Sequence, residues 1–144
     1  ERINAVADYA MALPAAEKRF AVVGFCWGGR TTFAYAGERP ELAAGIVYYG
    51  GSPSAEVLAR IKAPILGLYG EDDARVNVTI EPAALEMKRL GKIYQYEIYE
   101  RAGHGFLENQ QRLEGANMEA TQKAWPRTLQ FLEEHLRLET YYGR

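Results

Sequence analysis

An α/β fold, a parallel sheet wrapped by helices, is what this sequence predicts, and three observations predict it. Phe20–Gly24 (FAVVG), Ala43–Tyr49 (AAGIVYY) and Ala63–Tyr69 (APILGLY) are continuously apolar, as strands covered on both faces are. Each run is followed by a segment with helical spacing or helix punctuation, so strand and helix alternate. The chain closes on a long helical pattern, which supplies a last layer over the sheet.

Taken in order, ERINAVADYAMAL predicts an opening helix with Ile3, Val6, Ala7, Ala10 and Met11 on one face, ended by Leu13-Pro14. FAVVG is the first strand. Gly28–Gly37 then reads as a short helix that stops ahead of Pro40. AAGIVYY is the second strand, closed by Gly50-Gly51, and SPSAEVLARI begins with a cap-like Ser52 and a Pro53 suited to a first helical position. APILGLY is the third strand. EPAALEMKRLGK is a helix with Pro82 near its start and Gly91 at its stop. In Ile93–Tyr99 (IYQYEIY), Tyr94, Tyr96 and Ile98 alternate with polar residues and Tyr99, the mark of a strand nearer a sheet edge. Met118, Trp125, Leu129, Leu132 and Leu136 recur at helical intervals at the end, with Pro126 predicting a kink or a junction of two helices.

Composition narrows the function classes. The 144 residues suffice for one domain, and 1–144 is read as a single, partial one, because the chain lacks an initiator Met and starts inside a helix. With 17 Lys plus Arg against 19 Asp plus Glu, and no block of like charge, neither nucleic acid nor an anionic membrane surface is indicated as a partner. The apolar runs fall far short of a membrane span. A lone Cys cannot form an intrachain disulfide, which points to a reducing, cytoplasmic setting, where the sequon-like Asn77-Val78-Thr79 is incidental.

In parallel sheets the chemistry gathers at the carboxyl ends of the strands. After the first strand stands Gly24-Phe25-Cys26-Trp27-Gly28, the spacing of a nucleophile elbow with Cys in place of Ser. Such a turn is sharp and strained, its flanking positions crowd neighbouring backbone, and glycine fits there. The helix N-terminus favours a thiolate, and the Trp27 N–H faces a developing oxyanion. A bland core cysteine is the competing reading, and the Trp27 side chain either shapes a pocket or packs on the next helix. After the third strand, Gly70-Glu71-Asp72-Asp73 offers two adjacent acids, either of which could simply cap a helix. After the last, Ala102-Gly103-His104-Gly105 leaves an imidazole free to project over the strand ends. His135, in EEHLR, reads as a solvated surface residue. Cys, acid and His in that order are far more specific together than apart: this is the order of the α/β-hydrolases.

GFCWGGR, IVYYGG, LYGEDDARV, YERAGHGF and AWPRTLQFLEEHL resemble the dienelactone hydrolase family, a cysteine-using branch of the α/β-hydrolase fold, from about residue 1 to Leu138. The resemblance implies a hydrolase of carboxylic esters or lactones, of the carboxymethylenebutenolidase type. Cys26 would be nucleophile and His104 its partner. Asp73 would be the acid rather than Asp72, since the family's acid lies three residues after a Gly and three before a Val. Trp27 would give an oxyanion N–H, and Tyr49 would lie beside the substrate. Neither metal nor organic cofactor is implied. The family's first strands, second oxyanion donor, a Glu that partners the resting Cys and one substrate-binding Arg are expected upstream of this chain. A second family Arg, four residues after the histidine, is here Glu108, an acid that would repel an anionic lactone, so the resemblance implies ester or lactone hydrolysis more firmly than dienelactone itself. Beside this enzymatic reading stands a structural one, an inactive fragment that self-associates through the open edge of FAVVG. A redox role lacks a resolving cysteine.

Overall fold

The computed structural model of the chain describes residues 2–16 and 19–136, so the outermost residues of the family resemblance, Glu1 and 137–138, lie outside the described part. Four strands, β1 (Ala21–Phe25), β2 (Ala44–Tyr48), β3 (Ile65–Asp72) and β4 (Tyr94–Gly103), form one parallel sheet in the order β1-β2-β3-β4. Six α-helices accompany them among the described residues: α1 (Arg2–Ala12), α2 (Trp27–Tyr35), α3 (Ala55–Arg60), α4 (Ala74–Asn77), α5 (Ile80–Arg89) and α6 (Ala116–Leu136). The fold is that of the α/β-hydrolases, with β1 and β4 at the edges of the described sheet.

Two of the three continuous apolar runs behave as expected, with every residue of β2 and residues 65–70 of β3 buried, whereas β1, at an edge of the described sheet, is half-buried except at Gly24 and exposed at Phe25. The side chains of β2 divide by the two-residue period of a strand. Val47 joins Phe33, Leu58, Ile61, Ile80 and Met87 on one face, under α2, α3 and α5. Ile46 and Tyr48 join Leu66, Leu68, Tyr99, Phe106 and Phe131 on the other, under α6.

Six further sequence expectations are corrected. The inward side of α1 is Asn4, Ala7 and Met11, while Val6 is 69% exposed. Polar contacts dock that helix, with Asn4 Oδ1 accepting from Tyr35 Oη at 2.8 Å and Asp8 paired with Arg39 at 2.6 Å. Helix α3 starts at Ala55 with Ser54, not Ser52, in the cap position. On β4 the buried aromatic is Tyr99, and the Tyr96–Ile98 side faces outward. α6 runs unbroken through Pro126. Its buried stripe is Ala116, Asn117, Ala120, Ala124, Thr128 and Phe131, whereas Met118, Trp125 and Leu129 are exposed. Small side chains win that face because the sheet beneath is already filled by Tyr48, Tyr99 and Phe106, so the helix must come in close. Tyr48 Oη meets Thr128 Oγ1 at 2.7 Å across this contact. Finally, His135 is half-buried rather than solvated, packed edge-on against Phe131 with ring centroids 4.4 Å apart.

Candidate active site

Strand β1 feeds α2 through Cys26, whose φ of 54° and ψ of −117° lie in a region that L-residues rarely occupy. The turn is held from below, with Cys26 N–H donating to the Tyr48 carbonyl at 3.0 Å and the Cys26 carbonyl accepting from Arg30 N–H at 3.1 Å. Glycine is needed at two points, one of which the elbow pattern does not mark. A Cβ on Gly24 would sit 2.1 Å from the Gly28 carbonyl oxygen, and one on Gly29 would sit 2.6 Å from that of Tyr48. At Gly28 a Cβ would meet nothing within 4 Å, so the second glycine of the motif is not sterically required.

β3 runs on to Asp72, and the next residue, Asp73, turns back under the strand ends, 8% exposed. β4 likewise runs on to Gly103, and His104 follows it. The structure brings these ends together. The His104 Nδ1–H donates to Asp73 Oδ2 at 2.5 Å, and Nε2 lies 3.1 Å from Cys26 Sγ. Asp72, exposed and paired in register with Gly103, takes no part in this contact, so geometry separates the two acids that spacing left ambiguous. Cys26 is exposed, not a core cysteine.

Tyr49 has a φ of 39°, is 1% exposed, and its ring centroid is 5.2 Å from that of His104. Burial first, and the charge of Glu108 second, push its phenol well above the ordinary tyrosine range. Its hydroxyl is buried without a hydrogen-bond partner among the described residues. Trp27 is 77% exposed, so its ring does not pack into the core; it lines the mouth of the cavity.

That cavity, about 340 Å³, is walled by Cys26, His104 and Tyr49 together with residues the sequence reading missed, chiefly Arg30, Arg75 and Thr79. No carboxylate among the described residues lines it. Arg30 was legible in principle: four residues past Cys26 on a helix that starts at the elbow, it comes round to the same side. Arg75 was hidden by the shortness of α4. No three His, Cys, Asp or Glu side chains among the described residues are grouped so as to hold a metal ion, and no described helix is long and apolar enough to cross a membrane.

The family model described as the dienelactone hydrolase family matches residues 1–136. A candidate carboxymethylenebutenolidase of Methylorubrum extorquens is 40% identical over 99 residues, covering 61% of this chain and 34% of that protein. Another from Yersinia pestis is 31% identical over 129 residues, covering 82% and 48%. The chain therefore spans a third to a half of these curated relatives. Among solved structures, a candidate dienelactone hydrolase of Klebsiella pneumoniae superposes with a TM-score of 0.77 at 29% identity, over 90% of this chain and 57% of that one. A dienelactone hydrolase-like promiscuous phosphotriesterase from metagenomic libraries gives 0.79 at 26% identity, over 93% and 60%.

Proposed function

The chain belongs to the dienelactone hydrolase family, and from that membership we propose that it carries the reacting groups of a hydrolase for carboxylic esters or lactones. Cys26 is the nucleophile, His104 its proton partner and Asp73 the anchor of the imidazole. The observation that carries this reading is the unbroken run of contacts from Sγ to Nε2 to Nδ1 to Oδ2, at 3.1 and 2.5 Å. With Nδ1–H committed to Asp73, Nε2 is left to accept the Cys26 proton, or to donate to the thiolate once transfer has occurred.

The sulfur attacks the acyl carbon, and the carbonyl oxygen takes up negative charge beside the Trp27 N–H at the start of α2. Collapse breaks the acyl C–O bond, and the leaving oxygen takes the proton held on Nε2. The acyl-thioester is then attacked by water, which yields its proton to His104, and thiolate departure restores the resting pair. The relatives' name points to lactones of the butenolide kind. The described residues lining the cavity include Arg30 and Arg75 and no carboxylate; the charge of Glu108 reaches Tyr49, and the two guanidiniums favour a substrate bearing an anionic substituent on their own side.

The test is acylation of the intact protein by an activated aryl ester such as p-nitrophenyl acetate. The acyl group is expected on the peptide containing Cys26, and Cys26→Ala is expected to lose both the adduct and turnover. Turnover within a few-fold of the parent in the Ala variant overturns the assignment.

A further inference from the structure

The stretch that carries His104 is a turn between β4 and α6, and its own hydrogen bonds close only part of it. The Gly105 carbonyl accepts from Glu108 N–H and Asn109 N–H, each at 3.0 Å, and from Asn109 Nδ2 at 3.1 Å, with Gly105 itself at a φ of 69°. These bonds tie residues 105–109 to one another. They do not fix that unit, or the histidine at its head, relative to the sheet.

Phe106 anchors its middle, buried against Tyr48, Tyr49 and Tyr99, with its carbonyl accepting from Thr121 Oγ1 at 3.4 Å; one side chain holds both of its ends. Asn117, in the first turn of α6 and 2% exposed, reaches both ends of the turn. Its Oδ1 accepts from the Gly103 N–H, the residue before His104, at 2.9 Å, and its Nδ2 donates to the Asn109 carbonyl at 2.8 Å. Thr121, one helical turn on, donates from Oγ1 to the Asn117 carbonyl at 2.8 Å and helps hold the helix there. The turn bearing Asp73 is also closed by an asparagine, through its amide nitrogen alone. Asn77 Nδ2 donates to the carbonyls of Gly70 at 2.9 Å and Glu71 at 3.0 Å. The two closures meet across the sheet, because a Cβ on Gly70 would sit 2.7 Å from the Gly103 carbonyl oxygen.

We infer that Asn117 is the positioning residue for His104, holding the imidazole over Asp73 and within reach of Cys26; the inference rests on the assignment of those three side chains to the chemistry. It touches neither sulfur nor substrate. The requirement is chemical as well as steric: the site needs an acceptor at one end and a donor at the other, in a buried place where an unmatched polar atom costs more than a made bond gains. Leu has neither group. An ionised Asp turns a second acceptor against the Asn109 carbonyl, whereas a protonated Asp restores the donor. A displacement of about 1 Å at such a contact is enough to lower reactivity about 100-fold.

The experiment compares the wild-type protein with Asn117→Asp and Asn117→Leu by the rate of Cys26 alkylation with iodoacetamide, and by the low-field proton resonance of His104 Nδ1–H. Alkylation needs no ester turnover, so failure of the hydrolase reading and failure of this one are separable. The Asp variant is expected to react 10- to 100-fold more slowly than wild type at about pH 8 and to recover toward it at about pH 5, as the buried carboxyl takes its proton. The Leu variant is expected to be slow throughout, with the His104 resonance broadened. A folded Asp variant whose alkylation profile and His104 resonance match wild type overturns the inference. Should both variants unfold, the wild-type protein decides it. On warming, the His104 resonance and the Gly103 amide protection should be lost together, and loss of the resonance while Gly103 stays protected overturns it.

Discussion

Asp72 and Asp73 are neighbours of identical chemistry, yet one meets an imidazole and the other faces solvent. Spacing alone left them equivalent, because the choice depends on where β3 stops, and a strand end is fixed by its partner strand rather than by its own residues. Asp73→Asn should keep the packing but remove the acceptor that commits Nδ1–H, and so lower turnover of an activated ester by 100-fold or more, while Asp72→Asn stays within twofold. Steady-state kinetics on the two variants checks this directly. Arg75 carries a second prediction at this scale. Arg75→Ala should raise KM about tenfold for an ester with a carboxylate substituent and leave a neutral ester unchanged, which a paired-substrate assay reads. The candidate nucleophile and histidine were legible because glycines flank each of them in a short run. Arg75, Asn77 and Asn117 were not: Arg75 sits on a four-residue helix too short to show a face, and the two asparagines act through the turns they close, which no local pattern marks.

Helix α2 separates the two glycines of its first turn by function. Gly29→Ala should destabilise the fold by about 1–3 kcal/mol, since its Cβ lands on the Tyr48 carbonyl of a fully buried strand. Gly28→Ala should be neutral or stabilising by up to about 1 kcal/mol, because alanine suits a helix and the space beside it is open. Urea titration of the pair distinguishes these outcomes. The sequence pattern suggests the opposite emphasis, placing the constraint at Gly28. The same limit appears in α6. Periodicity located the helix, but the larger apolar residues pointed to the wrong face, because the deciding factor is how much room the sheet's own tyrosines leave. Element type was read correctly where the apolar runs were long and continuous, and face was misread where a close-packed neighbour, rather than hydrophobicity, chose it.

Across the whole molecule the core is unusually phenolic: Tyr48, Tyr49, Tyr69 and Tyr99 are all buried, and the Tyr69 and Tyr94 hydroxyls share a hydrogen bond at 2.8 Å. Burial raises the pKa of each of the five, that of Tyr94 to about 12. The folded state therefore keeps protons that the unfolded chain gives up, so this contribution is intact below about pH 10 and lost as pH rises through the raised values. Circular dichroism with phenolate absorbance should show cooperative unfolding between about pH 10 and 12, accompanied by a step in absorbance from these buried phenols. The order of strands has a different consequence. Asp73 and His104 hang from adjacent strands, β3 and β4, whereas Cys26 hangs from β1, which has β2 as its one neighbour in the described sheet. Acid and imidazole thus ride on neighbouring boards at one side of the deck, and the sulfur on the board at the other. A shear between β1 and the rest is felt as a stretch between sulfur and nitrogen, while the carboxylate–imidazole contact, made across one seam, is spared.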